Sequence, residues 1–407
     1  MLLDSPLNGM DPLHGKRILL LIGGSIAAYK SPEILRLLQA RGARVRCVLS
    51  TAGARFVTPL TLQALSGEAP RQDLFAAEEE AAMDHIRLAR WADALLYAPI
   101  SANGLARLAL GLAEDLAGTI ALASRNPRFL VPAMNWAMWE HPATQRHVAQ
   151  LRDDGAVFIG PEAGDLACGE TGSGRMVSPA DIVARLALEL GPGDWRGRRV
   201  LVSAGPTWEA LDPARGLGNR ASGRQGFALA QAAAERGAEV LLVAGPCALP
   251  TPVGVQRRDV ESARDMLAAI LEALGDRPYD LFLANAAVAD HRPASASAIK
   301  GRKGEIPDSL PLVANPDIVA SVHACPQRPH CIVAFAAETR PDVTTAARKL
   351  WRKGADVAVI NDLEAGAMGG TENACTLAWG EQSLNLPRQS KLSLARALLR
   401  ALDPCLS

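Results

Sequence analysis

The residues best suited to chemistry in this 407-residue sequence sit just after apolar runs. Ile18-Leu19-Leu20-Leu21-Ile22 leads into Gly23-Gly24-Ser25, and the run Val45 to Leu49 leads into Ser50-Thr51. Loop amides and hydroxyls at the carboxyl end of parallel strands suit an anionic cofactor, so Gly24, Ser25, Ser50 and Thr51 read as a phosphate or flavin site. Ordinary strand-to-helix punctuation is the alternative. Ser101 and Asn103, in the polar loop Pro99-Ile100-Ser101-Ala102-Asn103-Gly104, follow the run Leu95-Leu96-Tyr97-Ala98 in the same way. His85, with Ile86, Leu88 and Trp91 at helical spacing, is a candidate general base because histidine is the residue type suited to proton transfer near neutral pH; a hydrogen-bonded core histidine is the bland reading. Asn135, after Phe129-Leu130-Val131 and Pro132-Ala133-Met134, can donate to a carboxylate or cap the next helix. Cys168 lies in Gly160 to Met176, too glycine-rich for a helix or strand. That segment reads as a flexible flap with a proton donor or nucleophile at its cysteine.

The second half repeats the pattern. Val200-Leu201-Val202-Ser203-Ala204 runs into Gly205-Pro206-Thr207. Leu211 to Gly226 then combines glycines and arginines with Asn219 and Ser222, a phosphate cradle or a long solvent loop. Leu281-Phe282-Leu283 ends at an acid, Asp290. Ile299-Lys300-Gly301-Arg302-Lys303-Gly304 is basic. Asn315-Pro316-Asp317-Ile318-Val319 reads as a turn into a helix start, and Phe335 lies in a further strand and loop, Ile332 to Thr339. Lys349 and Lys353, four apart, share a helix face and can reach one polyphosphate; plain solubility is the alternative.

Positioning these groups takes strands alternating with helices. Gly15-Lys16-Arg17 and Gly191 to Arg199 are two basic turns that each open such a series. The chain is therefore read as α/β, two consecutive doubly wound domains, residues 1–192 and 193–407, joined at Gly-Pro-Gly-Asp. In the first, Ile26 to Ala40 is helical, with Pro32 kinking it or starting its second part, and a helix runs from about Leu105 to Leu112. In the second, Phe227 to Ala234 is a helix, Val240 to Ala244 a strand, and Val357 to Ile360 with Asn361-Asp362 closes the sheet. Glu78-Glu79-Glu80 is a solvated charge run.

Composition narrows the class. Hydrophobic residues are 49% and charged residues 21%, as in globular domains. The 43 basic residues equal the 43 acidic ones, so no global field recruits nucleic acid. No apolar stretch spans a bilayer, and Met1-Leu2-Leu3-Asp4-Ser5-Pro6 does not read as a signal sequence. Seven cysteines without a Cys-x-x-Cys pair read as reduced, which suits the cytoplasm.

Four motifs in order, Gly23-Gly24-Ser25-Ile26-Ala27-Ala28-Tyr29-Lys30, His85-Ile86-x-Leu88, Pro132-Ala133-Met134-Asn135 and Ala167-Cys168-Gly169-Glu170-x-Gly172-x-Gly174-Arg175-Met176, resemble the FMN-dependent phosphopantothenoylcysteine decarboxylases. The resemblance implies a flavodoxin-like domain forming trimers, with FMN shared between subunits. It makes His85 the base, Asn135 the holder of the substrate carboxylate and Cys168 the proton donor. In that chemistry the flavin takes and returns a hydride, so carbon dioxide leaves from an activated substrate without net redox change.

Gly205-Pro206-Thr207, Leu211-Asp212-Pro213, Ala286-Ala287-Val288-Ala289-Asp290, Asn315-Pro316-Asp317-Ile318-Val319 and Phe335-Ala336-Ala337-Glu338-Thr339 resemble phosphopantothenate-cysteine ligase, a Rossmann-like dimer. That resemblance implies CTP as substrate, Mg2+, and an acyl-cytidylate that L-cysteine opens with release of CMP. Asn219 would hold the acyl-cytidylate. Asp290 and Phe335 would contact the cytidine, and Pro316, Asp317, Ile318 and Val319 belong to the nucleotide set. Lys300, Lys349 and Lys353 would meet the phosphates, with Lys300 promoting the first step. No set of metal ligands stands out. The chain departs from the ligase pattern at Gly216-Leu217-Gly218, keeps one of three lysines at Lys300, and has Ala314 before Asn315.

Together the two resemblances imply a bifunctional enzyme turning 4'-phosphopantothenate, L-cysteine and CTP into 4'-phosphopantetheine, in assemblies up to a dodecamer. An FMN-binding decarboxylase or regulatory flavoprotein with a degenerate ligase half is the alternative. A nicotinamide oxidoreductase would show Gly-x-Gly-x-x-Gly with a downstream acid, a fingerprint this sequence lacks.

Overall fold

A computed structural model describes residues 11–74, 83–167, 169–300, 309–339, 342–362 and 370–406. They fall into two compact units, Asp11–Leu190 and the residues from Gly191 onward.

The first unit is built on β1 (Arg17–Ile22), β2 (Arg44–Leu49), β3 (Ala94–Ile100), β4 (Arg128–Pro132) and β5 (Val157–Phe158), all parallel, in the order β2-β1-β3-β4-β5. That is the flavodoxin-like order. The apolar run of β1 explains its central place: Ile18, Leu20 and Ile22 enter one core layer, Leu19 and Leu21 the other. A strand covered on both faces needs no polar alternation. Helices α1 (Ser31–Ala40), α2 (Pro59–Ser66) and α8 (Pro179–Glu189) cover the first layer. On the opposite layer lie α3 (Asp84–Trp91), α4 (Ala102–Ala109), α5 (Leu116–Ala123) and α7 (Pro142–Asp153). The short α6 (Trp136–Glu140) follows β4. Each fully buried leucine of β1 contributes on the order of 1.5–3 kcal/mol.

Local chemistry decides between two sequence alternatives for Pro32 and corrects two further expectations here. Pro32 starts α1, after a separate 3-10 turn at Ile26–Lys30, because proline suits a helix's first turn. Pro99 and Ile100 belong to β3, and Asn103 lies in the first turn of α4, since the Ser101 hydroxyl accepts from Gly104 N–H and starts the helix early. The glycine-rich flap is an antiparallel ribbon, β6 (Glu162–Asp165) with β7 (Thr171–Arg175). Its glycines serve close approach. A Cβ on Gly172 would lie 2.7 Å from that of Trp136, and Gly174, at φ +138°, has Met134 O 2.3 Å from where a Cβ would stand.

In the second unit eight strands form one sheet: β8 (Arg199–Ala204), β11 (Glu239–Ala244), β12 (Val255–Asp259), β13 (Leu281–Ala284), β16 (Cys331–Glu338), β17 (Val357–Asp362), β18 (Glu372–Trp379) and β19 (Gln382–Ser390). The order is β12-β11-β8-β13-β16-β17-β18-β19. Counted from β8, the six parallel strands run 3-2-1-4-5-6, the dinucleotide-fold order. β17 does not close the sheet as expected; the antiparallel hairpin of β18 and β19 extends it, with Leu377 and Leu386 buried. Helices α9 (Arg224–Glu235), α10 (Ala263–Asp276), α11 (Ile318–His323), α12 (Val343–Arg352) and α13 (Lys391–Ala401) cover the faces. Two short ribbons, β9 (Trp208–Asp212) with β10 (Arg215–Gly218) and β14 (His291–Pro293) with β15 (Leu312–Ala314), decorate the edge.

Between α9 and α13 lies a buried ion pair, Arg396 to Glu235 at 2.7 and 2.9 Å. The opening loop of this unit is tied to residues far along the chain. Trp195 is buried, donates to Asp403 at 3.1 Å and lies under the Arg236 guanidinium, while Arg198 donates to Leu406 O at 2.6 Å. Six described cysteines are free, and burial pushes the thiols of Cys47, Cys331 and Cys375 up to about 12. Among the described residues no helix is long and apolar enough to cross a membrane.

Candidate functional site

The carboxyl edge of the first sheet gathers most of the expected cofactor residues. Gly23 N–H donates to Pro99 O at 3.0 Å and Ser50 N–H to Ile22 O at 3.1 Å, so the loops after β1 and β2 lie against the ends of β3 and β1. A Cβ on Gly24 would stand 2.4 Å from that of Ala52, which fixes how close the first two loops come. Ser25 Oγ donates to Ala133 O at 3.0 Å, and Ala133 N–H reaches Ile100 O at 3.1 Å, bringing in the loops after β3 and β4. The hydroxyls of Ser50 and Ser101 accept from Gly53 and Gly104 N–H. Below them Tyr97 is buried, and that burial, with Asp115 adding to it, raises its hydroxyl's pKa well above the usual value.

Beside this rim lies a cavity of about 600 Å³ lined by Ser25, Lys30, Ala133, Met134, Asn135 and the ribbon residues Asp165–Ala167 and Gly174–Met176. Its volume falls within the roughly 300–1,000 Å³ of small-molecule and cofactor sites. Hydroxyl, amide and cationic donors converge on it over an apolar floor. Those features fit a flavin: loop hydroxyls for its phosphate, the cavity for its ring. Lys30 donates to Met176 O at 3.3 Å; burial and the nearby Arg175 guanidinium lower its ammonium pKa, with Glu162 and Glu33 pulling the other way.

Asn135 does both things expected of it. Its side-chain oxygen accepts from Ala137 N–H at 2.9 Å, capping α6, and this holds its amide group outward. The Nδ2 then donates to the Glu170 carboxylate at 2.7 Å, to the same oxygen that accepts from Trp136 Nε1 at 3.0 Å. Cys168 lies outside the described residues. Its neighbours Leu166 and Ala167 line the cavity, and Leu166 N–H donates to Glu170 O at 2.8 Å. His85, half-buried in the first turn of α3, is not among the cavity's lining residues, and Asn103 is exposed on α4. Glu170, Lys30 and Arg175 belong to motifs quoted from the sequence without being singled out. A charged residue on so glycine-rich a stretch was the available signal.

On the second sheet, the loops after β8 and β13 meet where the strand order reverses. Pro206 pairs with Ala287, and the buried Thr207 hydroxyl accepts from Ala289 N–H at 3.0 Å. Asn219 donates to Ala287 O and Val288 O, both at 3.1 Å, so it reaches the same crossing. Asp290 is exposed there and its carbonyl accepts from Asn315 N–H at 2.8 Å. Arg292, missed in the sequence, donates to Asn315 Oδ1 at 3.1 Å. Asp317 caps α11 through Ala320 N–H and pairs with Lys353 at 2.8 Å. Burial opposes ionisation of that carboxyl, yet Lys353 and the capped amides outweigh it and hold it below its ordinary value. Ile318 is buried in the core and Val319 packs against it, so their side chains serve packing. Phe335 is half-buried in β16, while Lys300 and Lys349 are exposed. Gly301 to Gly304 lie outside the described residues, as does Glu78-Glu79-Glu80.

The arginine- and glycine-bearing segment after Leu211 is a hairpin where a long loop was the alternative to a cradle. Asp212 accepts from Ala214 and Arg215 N–H and from the Arg215 side chain, so Asp-Pro-Ala-Arg forms a tight turn. Trp208 explains the glycines: a Cβ on Gly216 would meet its indole nitrogen at 2.6 Å. Among the described residues no group of three His, Cys, Asp or Glu is placed to hold a metal ion.

Residues 8–190 match the flavoprotein family model, and residues 195–405 match that of the DNA/pantothenate metabolism flavoprotein C-terminal domain. A flavoprotein unit thus precedes a pantothenate-metabolism unit. The chain is 45% identical over 394 residues to the coenzyme A biosynthesis bifunctional protein CoaBC of Vibrio cholerae serotype O1, covering 96% of this chain and 98% of that protein. To the protein of the same name from Escherichia coli K12 it is 42% identical over 393 residues, 95% of this chain and 96% of the other. The one from Bacillus subtilis 168 is 36% identical over 396 residues, covering 95% and 97%. The chain belongs to this family, the CoaBC bifunctional enzymes of coenzyme A biosynthesis, which pair a decarboxylase flavoprotein half with a phosphopantothenate-cysteine ligase half.

Proposed function

We propose that this protein joins L-cysteine to 4'-phosphopantothenate with CTP, in the half from Gly191 onward, and decarboxylates the product to 4'-phosphopantetheine in the half Asp11–Leu190. The observation that carries the reading is the pair of donors at the cavity, Asn135 Nδ2 and Trp136 Nε1, which hold one carboxylate oxygen beside a flavodoxin-like strand edge. A site able to hold the ribbon's carboxylate is able to hold a substrate's.

Gly24, Ser25, Ser50, Ser101 and Asn103 would bind FMN, which when bound supplies the electron sink an unactivated carboxylate needs before it leaves. Asn135 orients the carboxylate, and Cys168 delivers the proton after carbon dioxide departs. His85 acts as base from a neighbouring subunit's α3, which accounts for its place away from the cavity of its own chain. That division requires a homo-oligomer, with trimers of this half.

In the second half the substrate carboxylate attacks the α-phosphate of CTP, pyrophosphate leaves, and the cysteine amine displaces CMP from the acyl-cytidylate. Asn219, held over the crossing of two loops, contacts that intermediate. Asp290, Phe335 and the turn from Pro316 to Val319 surround the cytidine. Lys300, Lys349 and Lys353 neutralise phosphate charge, Lys300 at the first step. Mg2+ in this reading would be held chiefly by the nucleotide phosphates. Dimers of this half, dodecamers of the whole and a cytoplasmic location complete the proposal.

The test is mass spectrometry of products after incubation with FMN, phosphopantothenate, cysteine, CTP and Mg2+. Wild type should form phosphopantetheine, Cys168→Ser should lose carbon dioxide yet stop at the unprotonated enethiol, and Asn219→Ala should stop before phosphopantothenoylcysteine. Decarboxylation of supplied phosphopantothenoylcysteine without any ligation would sink the ligase assignment.

A further inference from the structure

Glu170 stands two residues past Cys168, on the turn between β6 and β7, and its carboxylate is bound by the very donors assigned above to the substrate. The rest of the ribbon is attached by other means. Met134 N–H donates to Gly174 O at 3.0 Å, Ser173 Oγ bonds Glu140 at 2.7 Å, and Gly172 lies against Trp136. These hold β7 whatever occupies the cavity. The Glu170 contact differs in kind, because it joins the turn to the site through a charge. The indole of Trp136 has a single N–H and cannot serve two acceptors fully. Two carboxylates brought within a few ångströms also disfavour each other's ionised forms. Occupancy by Glu170 and by a second carboxylate is therefore mutually exclusive.

We infer that Glu170 is an internal stand-in for the substrate carboxylate: it latches the ribbon's turn onto Asn135 and Trp136 in the empty enzyme, and phosphopantothenoylcysteine must displace it to bind. The inference rests on the proposed role of Asn135 as carboxylate holder. Displacement costs affinity, since only the unlatched fraction of the enzyme is competent to bind. It also favours ligands with a carboxylate at that end over the decarboxylated product, which has nothing to exchange for Glu170. Glu170 is thus a specificity-determining and positioning residue that takes no part in bond breaking.

The experiment uses the full-length, FMN-loaded enzyme and phosphopantothenoylcysteine, with Glu170→Gln, Glu170→Asp, Asn135→Ala and the Asn135→Ala/Glu170→Gln double variant. Two readouts are taken: kcat and KM for decarboxylation, and hydrogen–deuterium exchange of peptides covering 162–175 without substrate. Glu170→Gln is expected to lower KM about threefold or more, as the competent fraction rises, and to speed exchange of the ribbon's turn. Glu170→Asp, with the charge on a shorter arm, should fall between. In the Asn135→Ala background the Glu170→Gln change should affect exchange less, since only Trp136 still binds the carboxylate. A KM that rises or stays constant in Glu170→Gln, or exchange that is unaffected by it, overturns the latch. The reading beneath it fails separately: Asn135→Ala with unaltered KM and kcat would show that Asn135 does not hold the substrate, whatever the exchange data say of Glu170. Retained flavin absorbance in each variant shows that the half is folded.

Discussion

The two strand edges are built from the same parts and left in different states. The first presents a defined cavity, with its donors already committed: Ser25 to Ala133, Asn135 and Trp136 to Glu170, Lys30 to Met176. At the second, the loops are crosslinked to one another, but the cations proposed for phosphate are either neutralised, as Lys353 is by Asp317, or exposed, as Lys300 and Lys349 are. The contrast follows the chemistry proposed for each. A resident cofactor favours a site shaped in advance. A nucleotide that enters and leaves as two fragments favours charges gathered at the moment of use, since fixed unpaired cations would be costly to hold together.

Breaking the comparison begins with the proton donor. Cys168→Ser should lower the rate of phosphopantetheine formation by about 10²–10⁴-fold with ligation untouched, read by product analysis of each half-reaction. Lys300→Ala should cut ligation by about 10²–10³-fold, the usual loss on removing one charge stabiliser, and leave decarboxylation at wild-type rate. Glu235→Ala removes the carboxylate of a buried ion pair with Arg396; about 3–5 kcal/mol of the second unit's stability should go, seen as an earlier urea transition that spares flavin release from the first. Equal loss in both transitions would mean the units do not unfold separately.

The smallest effect sharpens rather than breaks the contrast. Asp317→Ala removes the α11 cap and should cost about 0.5–2 kcal/mol in chemical denaturation. Because this carboxyl is held below its ordinary value in the fold, its contribution is complete above the carboxylate range of an unfolded chain. It should fade as pH drops through the lowered native value, and the wild-type minus variant difference should vanish there.

How much of this the sequence displayed depends on whether the signal was local. Continuous apolar runs announced β1, β8 and β13, because strands buried on both faces have no other composition. Likewise Asn135 as a cap and Asp317 as a helix start follow from short-range hydrogen bonding. The ribbon of residues 162–175 was hidden, since its glycines look like loop in isolation and make sense only against Met134 and Trp136. β18 and β19 escaped because their pairing partner, β17, seemed to finish the sheet. For Glu170 the information was absent from its neighbourhood altogether: its partners lie 35 and 34 positions earlier. The glycines at 216 and 218, departures from the ligase pattern, became intelligible once Trp208 was seen beside them.

The ties from Trp195 and Arg198 to Asp403 and Leu406 bear on biosynthesis. Each joins residues 208 positions apart, and β8, which follows directly, lies in the middle of its sheet. On the ribosome, the flavoprotein unit can fold once residue 190 has emerged. β8 finds its neighbours β11 and β13 within about 85 residues, but its opening loop must wait through the translation of some two hundred more codons for Asp403 and Leu406, at a rate of about 5–20 residues per second. The roughly 10–40 s before closure is when chaperones have most to shield, and the burden falls on one half of the enzyme only.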